Sequence, residues 1–444
     1  MLAMAAVLPG CMADTDAPDV DIPGAETLGK DKVKDVVINV LLTAAPDDAM
    51  LGALGGFSKK VKAIEGLDAV SMVASPADLD AIRALPFVEA ANPDAERKGS
   101  PIDTVPAGDF VDGLSTWNLD AINVTDGPFF GTRAVAETGE GVYVAVLDTG
   151  LLDTWRQYFP EERIAEEYAK AFGGGGGEVG FVHDVPNKWE HDVNSHGTHV
   201  TSTILGFNFY GTPINGVAPG ATVIPVKVLG QAGFGWSSVV AMGIKYIGDL
   251  KAGPLHDSPV VINMSLGGPS LDAIEQAAMD YAIAQGVIIV AAAGNEGDLG
   301  MGYPGGYEPV ISVAASGWAG EWMNDCWWYC VDDPDPANTG YYYITDFSSW
   351  AYPGQDLDVT APGSWIVGPY QLQRGKSSYY FLGGTSMASP HVAGLAALMA
   401  QKSPTLNAAQ AENILETTAL DITGWSAMLQ GHGLVQADAA LDAL

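Results

Sequence analysis

The sequence predicts an α/β fold in which a doubly wound, mostly parallel sheet carries helices on both faces. Apolar runs of strand length recur along the chain, and helix-length stretches lie between them. Such continuous runs are typical of strands that are buried on both faces. The runs are Val142–Leu147, Val223–Val228, Val260–Met264, Val287–Ala292 and Val310–Ala314, and the helical stretches are Ser237–Leu250 and Leu271–Gln285. We assign residues 116–444 to this domain.

A smaller α+β unit is predicted ahead of it, over residues 34–95. Strand-like and helix-like segments follow one another in the order β-α-β-β-α-β, which is the ferredoxin-like arrangement. The strands are Val36–Leu42, Lys60–Ile64, Ala69–Ala74 and Phe87–Ala91, and the helices are Pro46–Leu54 and one that starts at Ser75-Pro76-Ala77-Asp78 with a cap, a proline and an early acid. This fold serves many functions, so by itself it indicates none of them.

Residues 1–33 have the composition of a leader followed by a tether. Met1–Gly10 is a short apolar run without a basic start, which fits a clipped signal sequence. Leu8-Pro9-Gly10-Cys11 is similar to the bacterial lipobox, so a lipid anchor at Cys11 is left open. Asp14–Lys30, rich in Asp, Pro and Gly, is the tether. No other run is long and apolar enough to span a bilayer, so no transmembrane helix is predicted. The signal-like start predicts an extracellular or cell-envelope protein.

The charge balance disfavours nucleic-acid binding. The net charge is −34, from 54 acidic and 20 basic residues, whereas phosphate contacts require clustered Lys and Arg. An acidic surface fits simple self-repulsion, adaptation to salt or bound Ca²⁺, and composition does not choose among these. Cys326 and Cys330 are close enough for a local disulfide in an exported protein, the alternative being two free thiols. Two cysteines without a nearby histidine are too few for a zinc site.

Three separated motifs contain the residue types that make a serine nucleophilic. VAVLDTG places Asp148 after a buried strand, NSHGTHV contains His196, and GGTSMASPHVAG contains Ser386 just ahead of a helix. A serine hydroxyl needs a base within hydrogen-bond reach, and histidine as a residue type titrates near neutral pH. An aspartate can hold the second ring nitrogen. A helix N-terminus would also offer backbone N–H groups to a developing oxyanion.

With the triad in the order Asp, His, Ser, the sequence strongly resembles the subtilisin-like serine peptidases, for which that order is known. The resemblance runs from Trp117 to Leu441, about three quarters of the chain, and includes Gly216-Val217-Ala218-Pro219, Asn263–Gly268, Ala291–Gly297, Tyr303-Pro304 and Thr360–Gly363. It implies a subtilisin-like fold and an acyl-enzyme mechanism. It also implies that Asn295 faces the oxyanion together with the backbone N–H of Ser386. No cofactor is required by the resemblance, and a structural Ca²⁺ is left open because the family's strong calcium loop has no clear counterpart near Asn208.

Substrate-binding residues are predicted on three short segments. Ser265-Leu266-Gly267-Gly268 is extended, and its glycines would let a polypeptide substrate add as a strand through its main chain. By the resemblance, Phe234 and Gly235 form the opposite wall, and Ala292-Ala293-Gly294 forms the floor of the pocket for the residue before the cut. These linings are small and uncharged, with no acid to select Arg or Lys. We therefore expect broad specificity with an apolar residue before the scissile bond.

Together with the unit at residues 34–95, the resemblance predicts a secreted serine endopeptidase that is made as a self-processed proenzyme. Residues 34–95 would be the propeptide and intramolecular inhibitor, and residues 96–115, polar and containing proline and glycine, the exposed cleavage linker. Two segments depart from compact family members. The interval between Asp148 and His196, which contains Gly173–Gly177, is longer, and Trp318–Tyr343 is a second insertion. The aromatic residues of the second would form either a partner- or substrate-facing patch or a small stapled core.

The sequence disfavours other functions for these residues and for the whole chain. His199 is expected to be a packed helix residue rather than a metal ligand, because Gly197 and Thr198 replace the glutamate that a zinc-binding helix motif requires. His391 follows Ser386 too closely in sequence to act as its base and is expected to pack in the helix. We predict no metal at the catalytic site. A catalytically silent binding module is disfavoured because the triad is complete. A lipase-type acyl hydrolase is disfavoured because it needs Gly-x-Ser-x-Gly, whereas Ala388 follows Met387 here.

Overall fold

A computed structural model describes residues 35–58, 60–64, 66–99, 103–106, 117–126, 132–175, 181–321, 338–373 and 376–444. The predicted leader with Cys11, the Cys326 and Cys330 pair, and Trp322, Trp327 and Trp328 lie outside these residues. Within the part of the chain that is described, no helix has the length and apolar character needed to cross a bilayer.

Residues 36–93 form the predicted β-α-β-β-α-β unit. Its elements are β1 (Val36–Leu42), α1 (Asp48–Leu54), β2 (Val61–Ile64), β3 (Ala69–Ala74), α2 (Leu79–Arg83) and β4 (Val88–Pro93). The strands lie in the order β2-β3-β1-β4 and pair antiparallel. Alternate residues of β1, such as Ile38 and Val40, are fully buried in the core of the unit, with Leu54 and Ile82 from the two helices. The period of two along β1 therefore builds this core.

The remaining elements belong to the larger domain and to the segment that connects it to the smaller unit. Its strands are β5 (Glu96–Lys98), β6 (Asp103–Pro106), β7 (Thr125–Asp126), β8 (Thr132–Arg133), β9 (Tyr143–Asp148), β10 (Lys170–Gly173), β11 (His183–Asp184), β12 (Gly206–Phe209), β13 (Thr212–Asn215), β14 (Thr222–Lys227), β15 (Phe234–Trp236), β16 (Val260–Met264), β17 (Val287–Ala292), β18 (Ile311–Trp318), β19 (Tyr342–Ile344), β20 (Val359–Pro362), β21 (Ile366–Gln373) and β22 (Lys376–Gly383). Its helices are α3 (Trp117–Asp120), α4 (His196–Leu205), α5 (Ser237–Ala252), α6 (Ala273–Ala284), α7 (Thr385–Lys402), α8 (Ala408–Thr418), α9 (Ala427–Gln430) and α10 (Ala437–Asp442).

The central sheet is parallel from β10 through β14, β9, β16, β17 and β18 to β20, with antiparallel β11 and β19 at its margins. Alternate residues of β9 serve opposite faces. Val144 and Val146 belong to the core that contains α4 and α7, and Ala145 and Leu147 to the core that contains α5 and α6. The carboxyl ends of the neighbouring strands β9, β16 and β17 meet at one edge, where sheets of this kind gather their functional groups.

The smaller unit docks on the start of two helices of the larger domain. Asp94 Oδ1 accepts a hydrogen bond from the backbone N–H of Ser238 at 3.0 Å, at the start of α5. Asn39 Nδ2 donates to Asp272 Oδ2 at 2.9 Å, and Asp272 is the N-cap of α6. Carboxylates are stabilised at helix N-termini by the exposed N–H groups and the helix dipole.

The structure departs from the sequence-based expectations at two places. The antiparallel pair β21–β22, with β6 beside β22, was not predicted. Residues 96–98, placed at the start of an exposed linker, instead form strand β5, and Arg97 is fully buried. The side chains of Glu96 and Lys98 are exposed, so the prediction of exposure was wrong only for Arg97, which is buried because the strand directs it onto Glu275.

The described ends of the aromatic insertion pack inward. Trp318 stacks on Trp117 with a ring-centroid distance of 6.5 Å, and Tyr342 is buried, whereas Tyr341 is half exposed. These ends therefore favour the core interpretation over the patch. The middle of the insertion lies outside the described residues.

Candidate active site

Asp148 and His196 form a buried pair at the edge where the strands end. Asp148 is the last residue of β9, and His196 is the first residue of α4. His196 Nδ1 lies 2.9 Å from both carboxylate oxygens of Asp148, and the backbone N–H of Thr149 donates to Asp148 Oδ1 at 2.6 Å. The contact to the carboxylate assigns the ring proton to Nδ1. Nε2 is then free to accept a proton, and it has no hydrogen-bond partner among the described residues.

Ser386 is the second residue of α7, as predicted for a serine at a helix N-terminus. Its Oγ donates to the carbonyl oxygen of Ser265 at 3.1 Å. Pro390, four residues further on, has no N–H to donate to the carbonyl oxygen of Ser386. The hydroxyl of Ser265 donates to that oxygen instead, at 2.8 Å. Ser265 therefore holds both the backbone and the side chain of Ser386.

The hydroxyl of Ser386 and the imidazole of His196 border the same small volume. A Cβ atom on Gly99 would lie 3.0 Å from the carbonyl oxygen of Ser265 and 3.3 Å from His196 Cε1. The hydroxyl is directed at Ser265, and no hydrogen bond joins it to His196 in this structure. Catalytic hydrogen bonds are often absent or long before substrate binds, and rotation about one side-chain bond redirects a hydroxyl.

Asn295 follows β17 and is oriented by the helix that carries the serine. Its Oδ1 accepts hydrogen bonds from the backbone N–H and from the Oγ1 of Thr385, both at 2.9 Å. These two bonds assign the oxygen of the amide, so Nδ2 is the end that remains to donate elsewhere. Gly294, with a φ of 113°, makes the turn between the strand and Asn295. Ala292 and Ala293 are buried just ahead of this turn.

The predicted substrate-binding segments border a groove that the chain itself fills. Lys98 and Gly267 exchange two backbone hydrogen bonds of 3.0 Å. On the other side, β5 pairs antiparallel with β15, with Phe234 opposite Lys98 and Gly235 opposite Arg97. The N–H of Gly99 donates to the carbonyl oxygen of Gly233 at 2.9 Å. Residues 96–99 therefore form the middle strand of three.

The remaining predicted substrate residues lie around this groove. Gly268 approaches the segment most closely, since a Cβ atom there would lie 2.3 Å from the carbonyl oxygen of Glu96. Leu266 is buried between Ser265 and Gly267, and Phe234 is exposed at the rim. Ala292 and Ala293 lead into Gly294, whose N–H donates to the Oγ1 of Thr385, the residue before Ser386, at 3.3 Å.

Two supporting residues were missed by the sequence analysis. Asp192 Oδ1 accepts from the backbone N–H of Ser195 at 2.6 Å and holds that residue at a φ of 69°, immediately before His196. Burial raises the pKa of Asp192 to about 7, although Lys227 lies nearby and opposes the shift. Lys227 donates to the carbonyl oxygen of Thr149 beside Asp148. The sequence signal for this support is Lys227, a lysine within the apolar strand predicted at Val223–Val228.

The two other histidines of the motifs are packed in helices, as predicted. His199 lies in α4 and is fully buried, with Nε2 3.0 Å from the carbonyl oxygen of Ile366. His391 lies in α7, fully buried between Asn118 and the carbonyl oxygen of Met387. Burial lowers the pKa of His199 to about 3 and that of His391 to about 4.

An acidic cluster away from the triad has the ligand types of a calcium site. Carboxylate oxygens of Asp356, Asp358 and Glu412 lie within 4.8 Å of one another. Asp358 is 1% exposed, and its Oδ2 accepts from the N–H and Oγ of Ser312. Its buried Oδ1 has no partner among the described residues. A hard cation with oxygen ligands, such as Ca²⁺, fits this set of donors.

Similarity to known proteins covers the same residues. The sequence pattern of the subtilase family matches residues 139–434. An alkaline protease of Shouchella clausii is 34% identical over 376 residues, which are 85% of this chain and 80% of that protein. Subtilisin Savinase of Lederbergia lenta is 36% identical over 303 residues, 68% of this chain and 91% of that protein.

Solved structures are similar as well. Fervidolysin from Fervidobacterium pennivorans, described as a keratinolytic enzyme related to subtilisin, superposes with a TM-score of 0.66 at 25% identity. The match covers 94% of this chain and 62% of the fervidolysin chain. Sphericase superposes with a TM-score of 0.56 at 28% identity over 73% of this chain and 99% of its own.

Proposed function

The chain belongs to the subtilase family of serine endopeptidases, and on that premise we propose that it is a secreted proenzyme that processes itself through Asp148, His196 and Ser386. Ser386 Oγ attacks the carbonyl carbon of the scissile bond, and its proton passes to His196 Nε2. Asp148 holds the ring through Nδ1 and stabilises the imidazolium. His196 then gives the proton to the leaving amine, and water hydrolyses the resulting acyl-enzyme by the same route in reverse.

The oxyanion of the tetrahedral intermediate would be held by two donors. One is the backbone N–H of Ser386 at the start of α7, and the other is Nδ2 of Asn295, whose Oδ1 is already engaged by Thr385. Donors that are fixed before the reaction need no reorganisation when the charge develops.

The occupied groove is the observation that carries the proenzyme proposal. Residues 96–99 pair with both walls as a substrate backbone would, and Gly99 lies against His196. A strand added in this way binds through its main chain, so affinity does not require a particular sequence. The unit at residues 36–93, docked on α5 and α6, would present this strand and so act as the intramolecular inhibitor.

Broad specificity with an apolar residue before the scissile bond remains part of the proposal. It is supported by the small, uncharged residues Ala292, Ala293 and Gly294, which lead up to Asn295. We also propose that the protein is exported through its leader, with or without a lipid anchor at Cys11.

Self-processing is tested by comparing the wild-type chain with Ser386→Ala. We expect the wild type to lose its N-terminal part, with a new N-terminus within a few residues after Gly99, and Ser386→Ala to stay full length. Ser403→Ala, at the end of the same helix, should process like the wild type. A fluorophosphonate should label Ser386 in the processed protein. Identical processing of Ser386→Ala and wild type would refute self-maturation, and absence of labelling would refute the catalytic assignment.

A further inference from the structure

The strand that fills the groove places an arginine in a closed pocket. Arg97 and Glu275 are both 0% exposed and form an ion pair. Arg97 Nε lies 3.0 Å from Glu275 Oε1, and Nη2 contacts Oε2. Nη2 also donates to the carbonyl oxygen of Ser270 at 3.1 Å, and Nη1 to that of Glu96 at 2.9 Å. Two parallel bonds to one carboxylate use the planar shape that distinguishes arginine from lysine.

The register of the strand directs this side chain alone into the pocket. Glu96 and Lys98 are exposed, and Arg97 between them is buried, as alternation along a strand requires. Lys98 Nζ lies over the ring of Phe234 at 5.7 Å, outside the pocket. Any polypeptide that pairs with Gly267 and Gly235 in the same register therefore presents one side chain to Glu275.

The acidic side of this contact belongs to the peptidase. When the chain is cut after Gly99, Arg97 leaves with the N-terminal part, whereas Ser270, Asp272 and Glu275 stay at the start of α6. Glu275 is then a carboxylate without its cation, in a pocket that a substrate strand closes again. A substrate without a cation at this position would bury the carboxylate unpaired, which is strongly unfavourable, whereas a substrate that restores the ion pair avoids this cost.

We infer that Glu275 is a specificity-determining residue that selects arginine at the substrate position equivalent to Arg97. This inference rests on the proposed function, because it assumes that substrates enter the groove that residues 96–99 occupy. It adds a charged preference two residues before the position of Gly99, distinct from the apolar preference expected directly before the scissile bond. The enzyme would then bind the substrate main chain independently of sequence and select arginine through one side-chain contact.

The test uses the self-processed wild-type protein and internally quenched peptides that copy residues 94–99 and continue with an apolar residue and a common tail. The peptides carry Arg, Lys, Leu or Glu at the position of Arg97. We expect kcat/KM to fall in that order, with at least about a tenfold advantage of Arg over Leu, since a site built around a polar partner rejects analogues that lack it. Equal cleavage of the Arg and Leu peptides would overturn the inference.

Enzyme variants show whether Glu275 is the cause. Glu275→Gln should reduce the advantage of Arg over Leu, and Glu275→Leu should reverse it. Asp280→Asn, which removes an exposed carboxylate from the same helix, should leave the wild-type preference intact. A preference for Arg that persists in Glu275→Gln would overturn the inference, and this milder variant keeps the test decisive if Glu275→Leu does not fold. Failure of the wild type to cleave any of the peptides and to react with a fluorophosphonate would instead refute the proposed function.

Discussion

Ser265 and Ser386 exchange two hydrogen bonds. Ser265 Oγ donates to the carbonyl oxygen of Ser386 at 2.8 Å, and Ser386 Oγ donates to the carbonyl oxygen of Ser265 at 3.1 Å. Pro390 creates the need for the first bond, because a proline leaves the carbonyl four residues before it without an intrahelical donor. Ser265, which follows β16, thereby completes the first turn of the helix that carries Ser386.

We expect this bond to be energetically coupled to Pro390. Ser265→Ala should lower the free energy of unfolding by about 1–3 kcal/mol, since a buried carbonyl loses its partner. Pro390→Ala supplies a backbone N–H, so Ser265→Ala should cost about 1 kcal/mol less in that background. Denaturant unfolding of the four proteins, all carrying Ser386→Ala to prevent self-digestion, measures the coupling. An equal cost of Ser265→Ala in both backgrounds would contradict the explanation.

Asn295 should act on the transition state rather than on substrate binding. Asn295→Leu removes Nδ2 and should lower kcat by about 10²–10³-fold with little change in KM, the size known for the oxyanion asparagine of this family. Thr385→Val removes only one of the two bonds that orient the amide, so its loss of kcat should be smaller, under about tenfold. Steady-state kinetics on one peptide measures both. A raised KM with unchanged kcat in Asn295→Leu would place the residue in ground-state binding.

Gly268 should be needed for the close approach of another backbone. In Gly268→Ala the new Cβ atom would lie 2.3 Å from the carbonyl oxygen of Glu96, so the strand in the groove must move. We expect KM for peptides to rise by about tenfold or more, and the N-terminal part to inhibit less well. Gly267→Ala is the matched comparison, because its Cβ atom would meet only the carbonyl oxygen of Tyr303, at 3.6 Å. Equal effects of the two variants would argue against strand addition at this wall.

The elements with regular patterns could be predicted from the sequence, and those built by pairing with distant segments could not. The strand Val260–Met264 was predicted with the bounds that the structure has, because four of its five residues are apolar, as is typical of a strand buried on both faces. Strand β5 was missed because Glu-Arg-Lys has no apolar pattern. Its conformation comes from two partners, Gly267 and β15, that lie far away along the chain.

The candidate site shows the same division. Asp148, His196, Ser386 and Asn295 stand in recognisable motifs, whereas Glu275 does not. The burial of Glu275 could nevertheless be predicted, because Ile274, Ala278 and Ala282 mark the buried face of α6 and Glu275 lies on that face. An acid on an apolar stripe predicts a buried cation nearby, although its identity as Arg97 required the structure.

The acidic cluster should make stability depend on calcium. If Ca²⁺ binds Asp356, Asp358 and Glu412, it neutralises carboxylates that otherwise repel one another and supplies a partner for the buried Oδ1 of Asp358. Calcium at about 100 times its Kd should then stabilise the folded state by about 2.7 kcal/mol, which raises the Tm by a few degrees over EDTA. Asp358→Asn should abolish the shift, and Asp421→Asn, outside the cluster, should keep it. An identical shift in Asp358→Asn would contradict this assignment.

His391 should make the protein less stable in mild acid. Its Nδ1 donates to the carbonyl oxygen of Met387 at 2.8 Å, and its Nε2 accepts from Asn118 Nδ2 at 2.7 Å, so both contacts fit the neutral ring. Burial lowers the pKa of His391 to about 4, whereas the unfolded chain has the ordinary histidine pKa of about 6.5. As the pH falls below about 6.5, the unfolded state binds the proton first. The contribution of His391 is therefore complete above that pH and is lost on acidification towards about 4.

A comparison with His391→Gln, in the Ser386→Ala background, isolates this effect. The variant lacks the titrating ring, so the difference in the free energy of unfolding between it and its parent should shrink by about 2 kcal/mol from pH 7 to pH 5. Both proteins contain His199, so its contribution to the pH dependence of unfolding cancels in the difference. A difference that stays constant from pH 7 to pH 5, measured by urea unfolding, would mean that His391 does not resist protonation in the folded chain.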